Sequence, residues 1–405
     1  MLVRVELTLS LTHACDLACG YCFAGAKDAR TMSRATGRAG LRLALARAAA
    51  RDRRLDVSFM GGEPLLRFDL LLELADEALS LGAAAGVAVR LQVTTNATGL
   101  TPERARALDA RGFHVAVSVD GLPAAQDLAR PRADGGPSSP RVERGLEAAL
   151  AHVRSLATIT VVEPRTVGLL ARGVEHLVAR GVRQLTLNPA WGAPWEERHL
   201  PAWERAYAAI AARWSEAHRA GDPFQVSTID PRVRARVLGA RGGCGASCGT
   251  QGHELAVAPS GRLYACGRAI GEDPPPGAQA PGSGYLGHVE AGIQPALLAA
   301  LPGASGAPAL APECAACAHQ DRCARGCACS NRESSGDPAL PGGLLCWHER
   351  MSIPLADQAA AGLFAQRVPS FLRRFYGQER LPDPPRPTAG RAGPRPLPVA
   401  HEVPA

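Results

Sequence analysis

Six short apolar runs punctuate the first half of the chain: Val5–Ser10, Asp56–Met60, Ala88–Thr94, His114–Val119, Thr158–Val162 and Gln184–Leu187. Between them lie Ala-, Leu- and Arg-rich segments, among them Leu41–Arg51, Leu65–Leu81 and Val167–Arg180, whose apolar residues recur at helical spacing. Strands alternating with helices predict parallel strands joined by right-handed crossovers. The fold class is therefore α/β. Six strand–helix units are two short of a closed eightfold barrel, so the expectation is a partial (β/α)6, TIM-like barrel. A further helix over Pro201–Ala220 is expected to cover the last strand.

From Cys244 the texture changes. Helical periodicity stops and Gly, Pro and Cys become frequent, with a Pro/Gly loop at Asp273–Gly284. Apolar helical spacing returns from Met351 to about Tyr376. The last stretch, Glu379–Ala405, is rich in Pro, Arg and Ala and buries too little apolar surface to order itself. The expected domains are a barrel over 1–235, a small cysteine-rich domain over 244–350, a C-terminal helix over 351–378 and a disordered tail over 379–405. A length of 405 residues allows two or three domains.

Composition narrows the function. Hydrophobic residues make up 46% and charged residues 20%, which permits a sizeable core. The net charge is +7, yet Lys27 is the one lysine among 45 basic residues. That arginine bias reads as coding preference, and no nucleic-acid partner is expected from it. No apolar run reaches the roughly 18 residues of a membrane span. The N-terminus, Met1–Leu7, alternates and carries charge where a secretory signal needs an unbroken apolar stretch. A cytoplasmic protein without a membrane partner is expected.

Twelve cysteines stand at positions 15, 19, 22, 244, 248, 266, 314, 317, 323, 327, 329 and 346. A reducing cytosol does not keep disulfides, so clustered cysteines point to metal or redox chemistry. The first three, within Thr12–Phe23, have the spacing C-x3-C-x2-C. Thiolates are soft ligands that suit iron–sulfur clusters or zinc. Zinc asks for a fourth ligand, and His13 is the only candidate nearby. Three thiolates and no fourth suit a [4Fe–4S] cluster with one iron open. A zinc knuckle and three buried core cysteines are the alternatives.

This segment resembles the signature of the radical S-adenosylmethionine (radical SAM) superfamily, with Tyr21 in the aromatic place before the third cysteine. The resemblance implies that Cys15, Cys19 and Cys22 hold a catalytic [4Fe–4S] cluster whose open iron chelates S-adenosylmethionine. Reductive cleavage then gives methionine and a 5′-deoxyadenosyl radical that abstracts hydrogen from the substrate. Gly61-Gly62-Glu63-Pro64, after the second strand, resembles the family's GGE motif, which receives the SAM ammonium. Asn96 after the third strand, Ser118 and Asp120 at the end of the fourth and Arg130 beyond it resemble family segments at the ribose and the SAM carboxylate. Leu187, at the end of the sixth strand, is placed at the adenine by the same resemblance. All lie at C-terminal ends of strands, where α/β sheets bind ligands.

The later cysteines resemble the seven-cysteine SPASM domain of radical SAM enzymes that modify peptides and proteins. Cys248-x12-Gly261-x4-Cys266 is followed by Cys314-x2-Cys317-x5-Cys323-x3-Cys327 and then Cys346, with Leu286-Gly287-His288-Val289 between the groups. Two auxiliary [4Fe–4S] clusters need eight thiolates, and Cys244 is the natural eighth. By analogy with the family, Cys244, Cys248, Cys266 and Cys327 hold the nearer cluster, and Cys314, Cys317, Cys323 and Cys346 the farther one. Cys329 is left as a half-buried thiol or an alternative to Cys327. Structural zinc sites are the competing reading of this region.

The resemblance implies an oxidoreductase-type maturase of a ribosomally made peptide, forming a thioether or carbon–carbon crosslink or inverting a stereocentre. The substrate radical would lose its electron to the nearer auxiliary cluster. An anaerobic sulfatase maturase making formylglycine is the second reading. That subfamily carries an Asp after the cysteine matching Cys266, where this chain has Gly267. Small-molecule or tetrapyrrole oxidation is the third reading, and a non-enzymatic iron–sulfur scaffold the last. With Cys15 on the first barrel loop, no leader-gripping domain is expected in front. A peptide or protein substrate would bind the barrel directly or come with a separate leader-binding protein. The reductant expected is a ferredoxin or flavodoxin. His114, Asp120 and Glu163 are candidate pocket bases, with His114 better read as a core residue, and Trp191 and Trp195 either wall the pocket or pack a loop.

Overall fold

The structure is a computed structural model that describes residues 4–25, 27–239, 253–271, 273–274, 284–301 and 311–378. The expected tail over 379–405, most of the Pro/Gly loop and both Cys244 and Cys248 lie outside the described residues. The chain divides into two compact units, one of residues 1–160 and 247–308, the other of 161–246 and 309–405.

Strands and helices alternate as the periodicity predicts. The order is β1 (Val5–Ser10), α1 (Arg34–Ala49), β2 (Arg54–Met60), α2 (Phe68–Ala85), β3 (Ala88–Thr95), α3 (Pro102–Ala110), β4 (His114–Ser118), α4 (Pro123–Ala129), α5 (Ser139–His152), β5 (Leu156–Val162), α6 (Leu170–Ala179), β6 (Gln184–Pro189) and α7 (Leu200–Arg219). After these come β7 (Gln225–Val226), α8 (Asp230–Val237), β8 (Glu254–Val257), β9 (Arg262–Tyr264), β10 (Tyr285–His288) and β11 (Gly292–Ile293). Four short helices, α9 (Pro295–Ala299), α10 (Pro312–Ala315), α11 (Ala328–Ser335) and α13 (Pro369–Tyr376), flank the long α12 (Gly343–Ala365).

In the first unit β1 to β5 pair in parallel, in sequence order. Strand β8 adds to the free side of β1, also in parallel, and β9 to β11 follow as an antiparallel meander. The register puts Leu7 and Leu9 beside Val57 and Phe59 on one sheet face, all fully buried. Helix α1 lies on that face, with Gly40 against Val257 and Leu9. The opposite face carries Thr8, Ser58, Gln92 and His114 in one register row. His114 is only half-buried there and meets Ser155 Oγ at 2.9 Å, so it is a rim residue and not the core histidine expected.

In the second unit β6 and β7 pair in parallel, and α7 buries Trp203, Tyr207, Ile210 and Trp214. Helix α12 packs on α7 and begins at Gly343, eight residues before the periodicity marks it. Its first two turns carry Cys346 and Trp347, whose types obscured the pattern. It stops at Ala365, where Arg367 takes a left-handed backbone (φ +51°) before Pro369 opens α13.

Candidate functional site

The cysteine loop leaves β1 at Leu11 and is held by backbone contacts to the turn after β2. Gly62 N–H donates to Thr12 O (2.7 Å) and Glu63 N–H to Ala14 O (2.9 Å). A Cβ on Gly62 would stand 2.1 Å from Ala14 O, and Gly61 has φ +137° with Thr12 O only 2.5 Å from where its Cβ would be. Both glycines are required by the cysteine loop itself, before any ligand is considered. Cys15 and Cys19 are half-buried and Cys22 is exposed, all as free thiols. Burial pushes the Cys15 thiol up to about 12, against a bond from Leu17 N–H and the charge of Lys27. Burial likewise raises Cys19, while Arg130 and Lys27 act to lower it. Lys27 Nζ donates to Cys22 Sγ at 2.9 Å.

The strand ends brace this loop. Glu63 is almost fully buried and its carboxylate accepts from Leu65 N (2.9 Å), Thr95 Oγ1 (2.7 Å) and Asn96 N (2.7 Å). Burial nevertheless pushes it up to about 7. Asn96 Nδ2 donates to Asp16 Oδ1 (2.8 Å), and Thr98 Oγ1 donates to Asp16 Oδ2 (2.5 Å). At the end of β4 Asp120 is paired with Arg130 through two bonds of 3.0 and 3.1 Å, both side chains buried. Tyr21 Oη donates to Asp120, and the Arg130 guanidinium lies 5.1 Å from the Tyr21 ring centre. Asp120 is therefore committed to a buried ion pair and offers no free base. Ser118 is half-buried at the same strand end.

His13 is not available as a fourth metal ligand. It is buried with Nε2 at 3.1 Å from Asp273 Oδ2, although the two are 260 residues apart in sequence. Asp273 also accepts from Ser260 Oγ (2.5 Å) and faces Arg30 and Arg262 at 3.8 and 3.7 Å. Burial acts to raise the Asp273 carboxyl, but the bonds from His13 and Ser260 outweigh it and hold it below the usual range. A shallow cleft opens beside this pair, lined by Phe23, Met60, Gly61, Gly267 and Ile270 among others. At Gly267, next to Cys266, the N–H donates to Glu254 Oε1 (3.2 Å), and a Cβ would meet Met60 Sδ at 3.0 Å.

In the second unit Cys314, Cys317, Cys323 and Cys346 line one open cavity, together with His319 and Glu349. Cys346 and Glu349 are one helical turn apart on α12. Glu349 Oε2 accepts from Ala324 N (3.3 Å), and Arg322 makes two bonds to Asp357 (2.7 and 2.8 Å), so the loop bearing Cys323 is tied to α12 on both sides. Arg232 neutralises the buried Glu349 at 2.5 Å. Burial pushes Cys323 up to about 11. Leu187 also belongs to this unit, buried and with its N–H on Ser227 Oγ (2.9 Å). Trp195 stacks on Trp203 (4.2 Å), and Trp191 meets His348 edge-on (5.2 Å), so both tryptophans pack an aromatic cluster. Glu163 is held by Arg165 Nε at 3.0 Å.

Residues 9–168 match the radical SAM superfamily. The chain carries a radical SAM domain. Its relatives include the serine-type anaerobic sulfatase-maturating enzyme of Klebsiella aerogenes, 29% identical over 64% of this chain and 65% of that protein. The PqqA peptide cyclase of Xanthomonas euvesicatoria pv. vesicatoria is 29% identical over 57% of this chain and 61% of its own length. The chain thus spans less than two thirds of these curated relatives. In structure it resembles native anSMEcpe with bound AdoMet, with a TM-score of 0.72, 18% identity, and coverage of 87% of this chain and 96% of that one. That likeness shows a shared fold.

The residues of the domain fit the cluster that the superfamily implies. All three cysteines are free thiols on one short loop, and their softness suits iron and sulfide. Raised thiol pKa values mean that cluster loading must release protons. The four thiols of the second unit border a shared volume and do not converge on one point. Among the described residues no three Cys, His, Asp or Glu side chains close round a single metal ion. Thiolates spread round a volume suit a cluster, in which each takes a different iron. Cys266 and Cys327 are half-buried. Sequence reasoning missed Asp16, Arg232, Glu349, Asp357 and Asp273. Their signal is charge in otherwise apolar or cysteine-rich surroundings, which has no meaning until the partners are known.

Proposed function

We propose that this chain matures a ribosomally made peptide by SAM-dependent hydrogen abstraction, closing a thioether or carbon–carbon crosslink or epimerising a residue. The observation that carries the reading is the pair of cysteine sites. One is a three-thiol loop braced by Gly62, Glu63 and the Tyr21–Asp120–Arg130 set. The other is a four-thiol cavity templated by α12. When bound, a [4Fe–4S] cluster with S-adenosylmethionine supplies a hydrogen-abstracting radical. Cys15, Cys19 and Cys22 are the ligands in this reading, with Asn96, Ser118 and the Gly61–Gly62 backbone facing the nucleoside and methionine parts. Glu63, Asp120 and Arg130 act chiefly by fixing the loop and Tyr21, since their polar atoms are already engaged. Cys314, Cys317, Cys323 and Cys346 hold one auxiliary cluster of a SPASM domain. Cys244, Cys248, Cys266 and Cys327 complete a second. A ferredoxin or flavodoxin supplies electrons in the cytoplasm, and the peptide binds the barrel directly or comes with a separate leader-binding protein. Among the described residues no helix is long and apolar enough to cross a membrane.

Formylglycine formation is the second reading, favoured by the likeness to the sulfatase-maturating enzyme. Against it, Gly267 places a main-chain N–H on Glu254 where that group carries an acid. Anaerobic co-expression with the short open reading frames beside the gene, followed by peptide mass analysis, tests the proposal. Loss of two hydrogens without reactivity toward a hydrazine supports a crosslink, and deuterium uptake from heavy water supports epimerisation. A hydrazine-reactive product would turn the assignment to formylglycine, and an unchanged peptide would refute peptide maturation.

A further inference from the structure

The lysine count has a structural counterpart. Arginine fills every other basic position, yet position 27 holds a lysine, and its ammonium is set 2.9 Å from Cys22 Sγ. The acid beside it in sequence, Asp28, is taken by Arg30 through bonds of 2.9 and 2.7 Å. Among the described residues Lys27 enters no ion pair with a carboxylate. An ammonium is a compact positive charge whose N–H can donate directly to a sulfur.

We infer that Lys27 is a potential-tuning residue: its ammonium, hydrogen-bonded to the Cys22 sulfur, raises the reduction potential of the cluster held by the first three cysteines. This rests on Cys22 being a cluster ligand, as proposed above. Hydrogen bonds to the sulfurs and net charge are among the factors that set such potentials. One electron passes from an external one-electron reductant to the cluster, and no proton moves. The reduced cluster carries one more negative charge, so the ammonium stabilises it more than the oxidised form. Cys22 is exposed, and the effective dielectric is correspondingly high. At a spacing of several ångströms, Coulomb's law with such a dielectric gives roughly a tenfold effect on the one-electron equilibrium, or about 59 mV.

The test is a redox titration of the full-length protein, anaerobically reconstituted and followed by electron paramagnetic resonance. The signal used is the one that changes when S-adenosylmethionine is added. K27M is expected to keep its iron and lower the midpoint about tenfold in equilibrium terms, while K27R stays near the unsubstituted protein. Raising the salt to about 1 M, where the Debye length is about 3 Å, should shrink the difference. A K27M midpoint equal to that of the unsubstituted protein overturns the inference, as does a difference that salt leaves untouched. If K27M loads iron poorly, K27Q and K27R decide: a lower midpoint in K27Q alone supports the role, and equal midpoints refute it. Failure of the underlying reading looks different. Substituting Cys22 with Ala would then leave both the iron content and the SAM-responsive signal intact.

Discussion

Substituting Gly62 with Ala separates a loop-positioning role from a purely ligand-facing one. The added Cβ would sit 2.1 Å from Ala14 O, 2.6 Å from Ala14 C and 2.7 Å from His13 O. All three are backbone atoms, so no rotamer change relieves the clash. Restoring an ordinary 3.4 Å contact requires a relative shift of about 1.3 Å at Ala14, the residue before Cys15. The shift also strains the bonds from Gly62 N to Thr12 O and from Glu63 N to Ala14 O. Two such bonds at about 0.5–1.5 kcal/mol each, with overpacking at about 1–3 kcal/mol, give a cost of about 2–6 kcal/mol. A misplacement of this size costs on the order of 100-fold in a reaction that depends on geometry. The assays are denaturant unfolding, iron content after anaerobic reconstitution, and 5′-deoxyadenosine formation. Gly112→Ala is the control: its φ of +71° brings backbone strain, but nothing lies within 4 Å of the new methyl. The reasoning is refuted if G62A is no less stable than G112A and holds the same iron as the unsubstituted protein.

Three further outcomes are expected. If the chain holds three four-iron clusters as proposed, replacing Cys314, Cys317, Cys323 or Cys346 with Ala should each remove about a third of the roughly 12 iron atoms, and C329A should remove none; iron and sulfide analysis checks both. Arg130→Met removes the guanidinium that neutralises the buried Asp120, so unfolding free energy should fall by about 3–5 kcal/mol, and pairing it with Asp120→Leu should recover much of that loss. Glu63 titrates near 7 in the folded chain against 4.5 ordinarily. The native state therefore binds the extra proton across that window, and its contribution declines by about 3 kcal/mol as pH rises from about 4.5 to 7. E63Q should flatten that slope in pH-dependent unfolding and lower stability at pH 5, because one amide oxygen cannot serve all three donors.

Much of the scaffold was legible because its signals are local. All six expected strands appear, with β1 at the same bounds, since apolar runs bounded by helical spacing report on the nearest few residues. The C-x3-C-x2-C loop and the Gly-Gly-Glu turn were also legible, being contiguous. The helix starting at Gly343 was not, because its first two turns contain cysteine, tryptophan, histidine and glutamate that serve the cavity and the aromatic cluster.

The sequence alone determined the strand–helix order, the radical SAM signature and the number of thiols. Only the tertiary structure decided which charges those thiols meet. It turned His13 to Asp273 across 260 residues, closed Asp120 on Arg130 and Tyr21, and tied the Cys323 loop to α12 through Glu349 and Asp357. The physical reason is that periodicity is a property of neighbours along the chain. A buried charge is tolerated only where a distant partner happens to be delivered by the fold.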